Sequence, residues 1–72
     1  MMDVRAHITG TVWKILVQPG GTVSEGDALV ILESMKMEMP LESPISGTVH
    51  EIKCKEGDAV NEDDVLVVLS AS

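Results

Sequence analysis

The sequence contains no phenylalanine or tyrosine, and Trp13 is its only aromatic residue. A core without aromatic rings has to be filled by Val, Ile, Leu and Met, and the β-branched share of that set favours strands over helices. There is a single cysteine, Cys54, so no internal disulfide can form, and a reducing setting is expected. Basic residues are scarce: five Lys and Arg stand against twelve Asp and Glu, for a net charge of −7. That balance opposes nucleic acid and anionic membrane surfaces. The closest basic cluster, Lys53 and Lys55, is flanked by Glu51 and Glu56. No apolar run is long enough to span a bilayer, and nothing at the N-terminus resembles a signal peptide, which together give a cytoplasmic expectation.

What the chain does contain is a repeat. Displaced by 37 positions and without a gap, residues 1–35 lie over residues 38–72 with thirteen identical pairs, among them Gly10/Gly47, Val12/Val49, Ile15/Ile52, Gly20/Gly57 and Leu29/Leu66. Such a repeat implies two copies of one supersecondary unit packed about a pseudo-twofold axis, because neither half alone can cover its apolar face. A chain of 72 residues holds one domain, 1–72, with halves 1–35 and 38–72. Lys36 and Met37 are left without partners, which puts Lys36 on an exposed tip, 35–37, at the pole away from Met1 and Ser72.

The strands follow from the pattern. Val4 to Ile8 reads as the first, Thr11 to Gln18 as the second, a very short one lies near Thr22-Val23, and Ala28 to Glu33 is the fourth. The repeat copies this order, with Val65 to Ser70 the twin of the fourth strand. Val12/Val49 and Ile15/Ile52 fall on opposite parities, so a bulge or strong twist is expected between them in both copies. Pro19-Gly20 suits the centre of a type II turn, and Glu56-Gly57 is its copy. Where the first half has Gly26 the second has Asp63, a residue that tolerates left-handed geometry. Met37 to Glu42 alternates, with Met37, Met39 and Leu41 on one face and Glu38, Pro40 and Glu42 on the other. The fold class is therefore all-β, a flattened barrel or sandwich of two four-stranded antiparallel sheets.

The tip has the wrong chemistry for an ordinary hairpin, since Ser34-Met35-Lys36-Met37 stands where Asn-Gly or Asp-Gly is favoured. Local rules broken at one place and kept elsewhere point to function.

Glu33-Ser34-Met35-Lys36-Met37-Glu38, midway between two Gly-Thr-Val…Gly-Asp-like halves, resembles the biotinyl (biotin carboxyl carrier) domain family, whose modified lysine sits in Met-Lys-Met. The resemblance runs from about Val4 to Leu69. Ser34 stands where Ala is commonest in the family, and the Asp-Lys-Ala usual in related lipoyl domains is absent. The match implies the hammerhead architecture of biotinyl and lipoyl domains and covalent biotin on Lys36. It further implies modification by biotin protein ligase through a biotinyl-adenylate, and shuttling of carboxylate between a biotin carboxylase and a carboxyltransferase of a biotin-dependent carboxylase such as an acyl-CoA carboxylase. The chain is then a non-catalytic carrier. No inserted segment interrupts the repeat, so the protruding thumb of some bacterial acetyl-CoA carboxylase carriers is not expected.

The flanking residues admit more than one reading. Met35 reads as a contact to the cofactor ring or the ligase; Met37 reads either so or as filling at the end of the core. Met39 and Leu41 read as core. Glu33 and Glu38 are either read by a ligase or solvate the turn. Trp13, aligned with His50, is read at the rim of the core, with partner contact the alternative. His50 and Cys54 share parity on one strand, but Cys54 aligns with apolar Val17 and four ligands are not on offer with His7 added, so no metal site is expected. Two rival functions stand beside the carrier of biotin: a lipoyl carrier for 2-oxoacid dehydrogenase-type acyl transfer on the same fold, and an unmodified interaction module.

Overall fold

Leu29, Leu32, Leu66 and Leu69 are the largest side chains fully withdrawn from solvent, and the strands are arranged to bring these two repeat-related pairs together. The computed structural model describes residues 1–71. It contains β1 (Met2–Arg5), β2 (Gly10–Ile15), β3 (Thr22–Val23), β4 (Ala28–Ser34), β5 (Met37–Glu42), β6 (Gly47–Ile52), β7 (Ala59–Val60) and β8 (Val65–Ala71), with no helix among the described residues. The all-β expectation holds.

The sheets do not coincide with the halves. One, here the tip sheet, has the order β5-β4-β2-β7; the other, the terminal sheet, has the order β1-β8-β6-β3. Advancing each strand by one repeat converts the first order into the second. Each sheet thus takes two strands from each half, so neither half completes a sheet without the other. Every pairing is antiparallel. The continuous apolar runs of β4 and β8 form the centre of the core, joined by Val4, Val12, Val23, Leu41, Val49 and Val60.

The parity conflict in β2 and β6 is resolved by a bulge in each. Val12 pairs with Leu32 and Lys14 with Ile31, leaving Trp13 as the extra residue. In the copy, Val49 pairs with Leu69 and Glu51 with Val68, leaving His50. Trp13 and Lys14 both face outward, which returns Ile15 to the core side.

Two strands differ from expectation by more than one residue at an end. The first covers Met2–Arg5 and not Val4 to Ile8. Leu66 is an extra residue opposite it, since Val4 pairs with Val67 but Arg5 with Val65. Beyond that point the backbone bonds run to the 61–64 turn, with Ala6 N–H donating to the Asp64 carbonyl and Asp63 N–H to the Ala6 carbonyl. The second strand stops at Ile15, short of Gln18, whose carbonyl accepts the Gly21 N–H at 3.0 Å to close the Pro19-Gly20 turn. Gly20 has φ 88°, as a type II turn requires. Asp63 takes φ 77° at the position where the first half has Gly26.

Strand direction places the tip. Leading into β4, the 24–27 turn is bonded to Ser43 at the far end of β5, through Gly26 N–H to the Ser43 carbonyl and Ser43 N–H to the Asp27 carbonyl. β3, just before that turn, pairs with Gly47 and Thr48, and Gly47 is also the partner of Ala71. β4 therefore starts at the end where β8 finishes and runs away from it to Ser34. In a body of 35 × 18 × 18 Å, the β4–β5 turn and the Ala71 end lie at opposite poles.

Candidate functional site

Ser34 and Met37 are the last paired residues of the β4–β5 ladder, so the turn proper consists of Met35 and Lys36 alone. Met37, grouped with the tip from sequence, is the first residue of β5. Both turn residues have positive φ, 53° at Met35 and 65° at Lys36. Positive φ at both central positions is the signature of a type I′ hairpin, which ordinarily takes Asn-Gly. The geometry is thus that of a regular two-residue hairpin, contrary to expectation, and it is imposed on residues that resist it. Left-handed backbone costs a side-chain-bearing residue about 1–2 kcal/mol.

The strain is held in place from below. The ladder runs from Ser34↔Met37 back to Ala28↔Glu42, with one irregularity at Leu29. On its other edge β4 is gripped by β2, which approaches most closely at Gly10: a Cβ there would collide with the Glu33 carbonyl oxygen. Only glycine permits that approach, two residues before the turn begins.

The side chains at the turn are presented to solvent. Met35 is 92% exposed and Met37 60% exposed; Met37 is therefore not core filling. Burial grows along β5, through half-buried Met39 to buried Leu41. Lys36 is exposed and takes no part in a side-chain hydrogen bond or ion pair among the described residues. Its amine is unencumbered. Glu33 and Glu38 are exposed and paired directly across the ladder, a juxtaposition that reading each residue by itself does not reveal.

Trp13 departs from its expected position. It is 42% exposed, lies outside the core cluster, and sits at the bulge on the outer side of the tip sheet, with Lys14 Nζ 5.1 Å from its ring centroid. The bulge turns its side chain away from the core rim. Cys54 is a buried free thiol whose pKa is pushed up, first by burial and then by the Asp58 carboxylate. His7 and His50 are exposed, and no group of three or more His, Cys, Asp or Glu gathers in metal-binding range among the described residues.

Comparison with known proteins gives the same emphasis to the whole chain. The family model described as "Biotin-requiring enzyme" matches residues 1–69. A biotinylated protein TB7.3 homolog of Mycolicibacterium smegmatis is 54% identical over 39 residues, 54% of this chain and 55% of that protein. The methylmalonyl-CoA carboxyltransferase 1.3S subunit of Propionibacterium freudenreichii is 50% identical over 36 residues, 50% of this chain and 29% of the subunit. These matches span about half the length of the first relative and less of the second. Among solved structures, the urea carboxylase of Kluyveromyces lactis contains a similar fold: TM-score 0.90 and 35% identity, over 96% of this chain and 6% of that enzyme.

Proposed function

The chain belongs to the family of biotin-requiring enzymes, and from that premise we propose that it is a biotin carboxyl carrier domain with Lys36 as the attachment residue. The observation that carries the proposal is the placement of a free, exposed lysine at the apex of a two-residue turn, at one pole of an elongated β-body.

The residues present fit the group. An amide-linked cofactor needs an accessible amine with no competing ion pair, and Lys36 has both properties. When attached, biotin supplies a ureido nitrogen that accepts and gives up a carboxyl group. Everything else the chain does is mechanical and electrostatic. β4 and β5 hold the turn rigidly; Met35 and Met37 flank the lysine with exposed thioether side chains, available as soft contacts to whatever surface receives it. The domain acts as carrier and not catalyst, in keeping with cofactor systems in which binding and orientation are the protein's contribution.

An ammonium has to lose a proton before it can form an amide, and Lys36 has no side-chain hydrogen-bond or ion-pair partner among the described residues to take it, so activation has to come from outside. Biotin protein ligase is the proposed modifying partner. A biotin carboxylase and a carboxyltransferase are the proposed partners of the loaded form. The net charge of −7 argues against nucleic acid and anionic membranes as partners. A cytoplasmic setting is part of the same proposal and is supported by the free thiol of Cys54.

The test is carboxyl loading. Biotinylated protein is incubated with a cognate biotin carboxylase, ATP and labelled bicarbonate, and label on the chain is counted. Label on the wild type and none on Lys36→Arg is the expected result; equal label on both, or none on biotinylated wild type, contradicts the proposal.

A further inference from the structure

The internal repeat provides a control for the surface away from the turn, because an outward residue of one sheet there has a structural equivalent in the other. On the outer side of the terminal sheet, buried Val68 stands between Asp3 of β1 and Glu51 of β6. His50 and Lys53 lie beside them, and all four neighbours are polar. At the equivalent positions of the tip sheet, Ile31 stands between Pro40 of β5 and Lys14 of β2, with Trp13 and Leu16 alongside. Ile15 and Val17 both pack against the core, so alternation turns Leu16 outward. Trp13 is 42% and Leu16 49% exposed, and Ile31 is half-buried outside the core cluster.

The scaffold does not require this apolar face. The bulge that carries Trp13 accepts His50 in the other half, and the position of Leu16 accepts Lys53. Exposed tryptophan is also costly to leave in water, and tryptophan is enriched among residues that dominate binding interfaces. The patch is bordered on the same side by Glu33, Glu38 and Glu42, which alternate with Ile31 and Pro40 along β4 and β5. It therefore continues upward to the turn that holds Lys36.

We propose that this outer face of the tip sheet is the surface by which the carrier docks on its biotin carboxylase, through an apolar socket rimmed by lysine or arginine. The inference rests on the carrier reading. Charge complementarity fits this partner: the face holds Lys14 but is edged with three glutamates on a chain of net charge −7, and an enzyme that draws the anions ATP and bicarbonate to its site is served by a basic mouth. A second copy of this chain is a poor occupant, because like net charges repel. The patch of Trp13, Leu16, Ile31 and Pro40, with Glu33, Glu38 and Glu42 at its edge, is also far smaller than the roughly 20–30 residues a side of standard stable interfaces. A small contact suits a carrier that has to leave after loading.

The test replaces Trp13 and Leu16 by the residues that the second half already tolerates, Trp13→His and Leu16→Lys, together and singly, in fully biotinylated protein. With the cognate biotin carboxylase, the double variant is expected to raise KM for the carrier about tenfold with little change in kcat, the pattern of a lost binding contact. With the carboxyltransferase no comparable change is expected. Independently of any variant, wild-type protein labelled with 5-fluorotryptophan carries one 19F resonance, and saturable broadening of it by the carboxylase is expected. An unchanged KM, a 19F signal indifferent to the carboxylase, or a KM effect confined to the carboxyltransferase overturns the proposal. If wild-type protein fails to accept biotin at all, it is the carrier reading that fails, and the intact mass recorded before kinetics tells the two apart.

Discussion

Glu33 and Glu38 stand directly opposite each other across the β4–β5 ladder, one pair below the turn that carries Lys36. Like charges in that relationship destabilise a hairpin. Glu38→Gln is therefore expected to stabilise the protein by about 0.2–0.5 kcal/mol at low salt, by removing one of the two charges, and the gain is expected to shrink as salt screens the pair. Urea unfolding at two ionic strengths measures both. A loss of stability in low salt would contradict the repulsion.

The turn itself makes a sharper prediction. Met35 holds φ 53° with its side chain 92% exposed, so replacing it removes strain without removing core contacts. Met35→Asn is expected to stabilise the domain by about 1 kcal/mol, since asparagine enters left-handed geometry more readily. A destabilised variant in chemical denaturation would mean that the left-handed turn is not populated in solution.

Leu29 and Leu66 are equivalent in the repeat and both are fully buried. Each is also the extra residue of a β-bulge, opposite β5 and β1 respectively. Leu→Ala at either position is expected to cost about 2–5 kcal/mol, enough to threaten a chain of this length. A loss below about 0.5 kcal/mol at both sites would contradict the core described here.

Cys54 couples stability to alkaline pH. Its thiol pKa is raised above the ordinary 9.0 by burial and by Asp58, so above pH 9 the unfolded chain releases the thiol proton before the folded one does. The thiol's stabilising contribution is complete below about pH 9 and is lost as pH rises from there through the folded-state value. Cys54→Val, which installs the residue of the equivalent position 17, is expected to flatten the alkaline decline in denaturation midpoint. A decline of the same size in Cys54→Val would assign it to other groups.

Much of the architecture was legible because repetition exposes it. The opposed parities of Val12 and Ile15 foretold a bulge, and the same conflict at Val49 and Ile52 foretold its copy. Pro19-Gly20 named its turn, and Asp63 in the place of Gly26 named a left-handed residue. Strand partnership was less accessible: a repeat relates residues to their copies, not to their neighbours, so the exchange of β1 and β3 for β5 and β7 between sheets is invisible to it. The first strand was displaced because Val4, Ala6 and Ile8 alternate in the same way whether or not the ladder continues. Trp13 was read at the core rim because its copy is the polar His50, while the bulge decides its direction. The opposition of Glu33 and Glu38 follows once the turn has two residues; a tip of 35–37 hid it.

Intact mass after modification tests the central claim most directly. The protein and Lys36→Arg are each incubated with ATP, biotin and a biotin protein ligase, and separately with ATP, lipoate and a lipoate ligase. The account predicts the gain of one biotinyl group on the wild type and no gain on Lys36→Arg. A lipoyl gain alone, a biotinyl gain that survives in Lys36→Arg, or no gain from either ligase would contradict it.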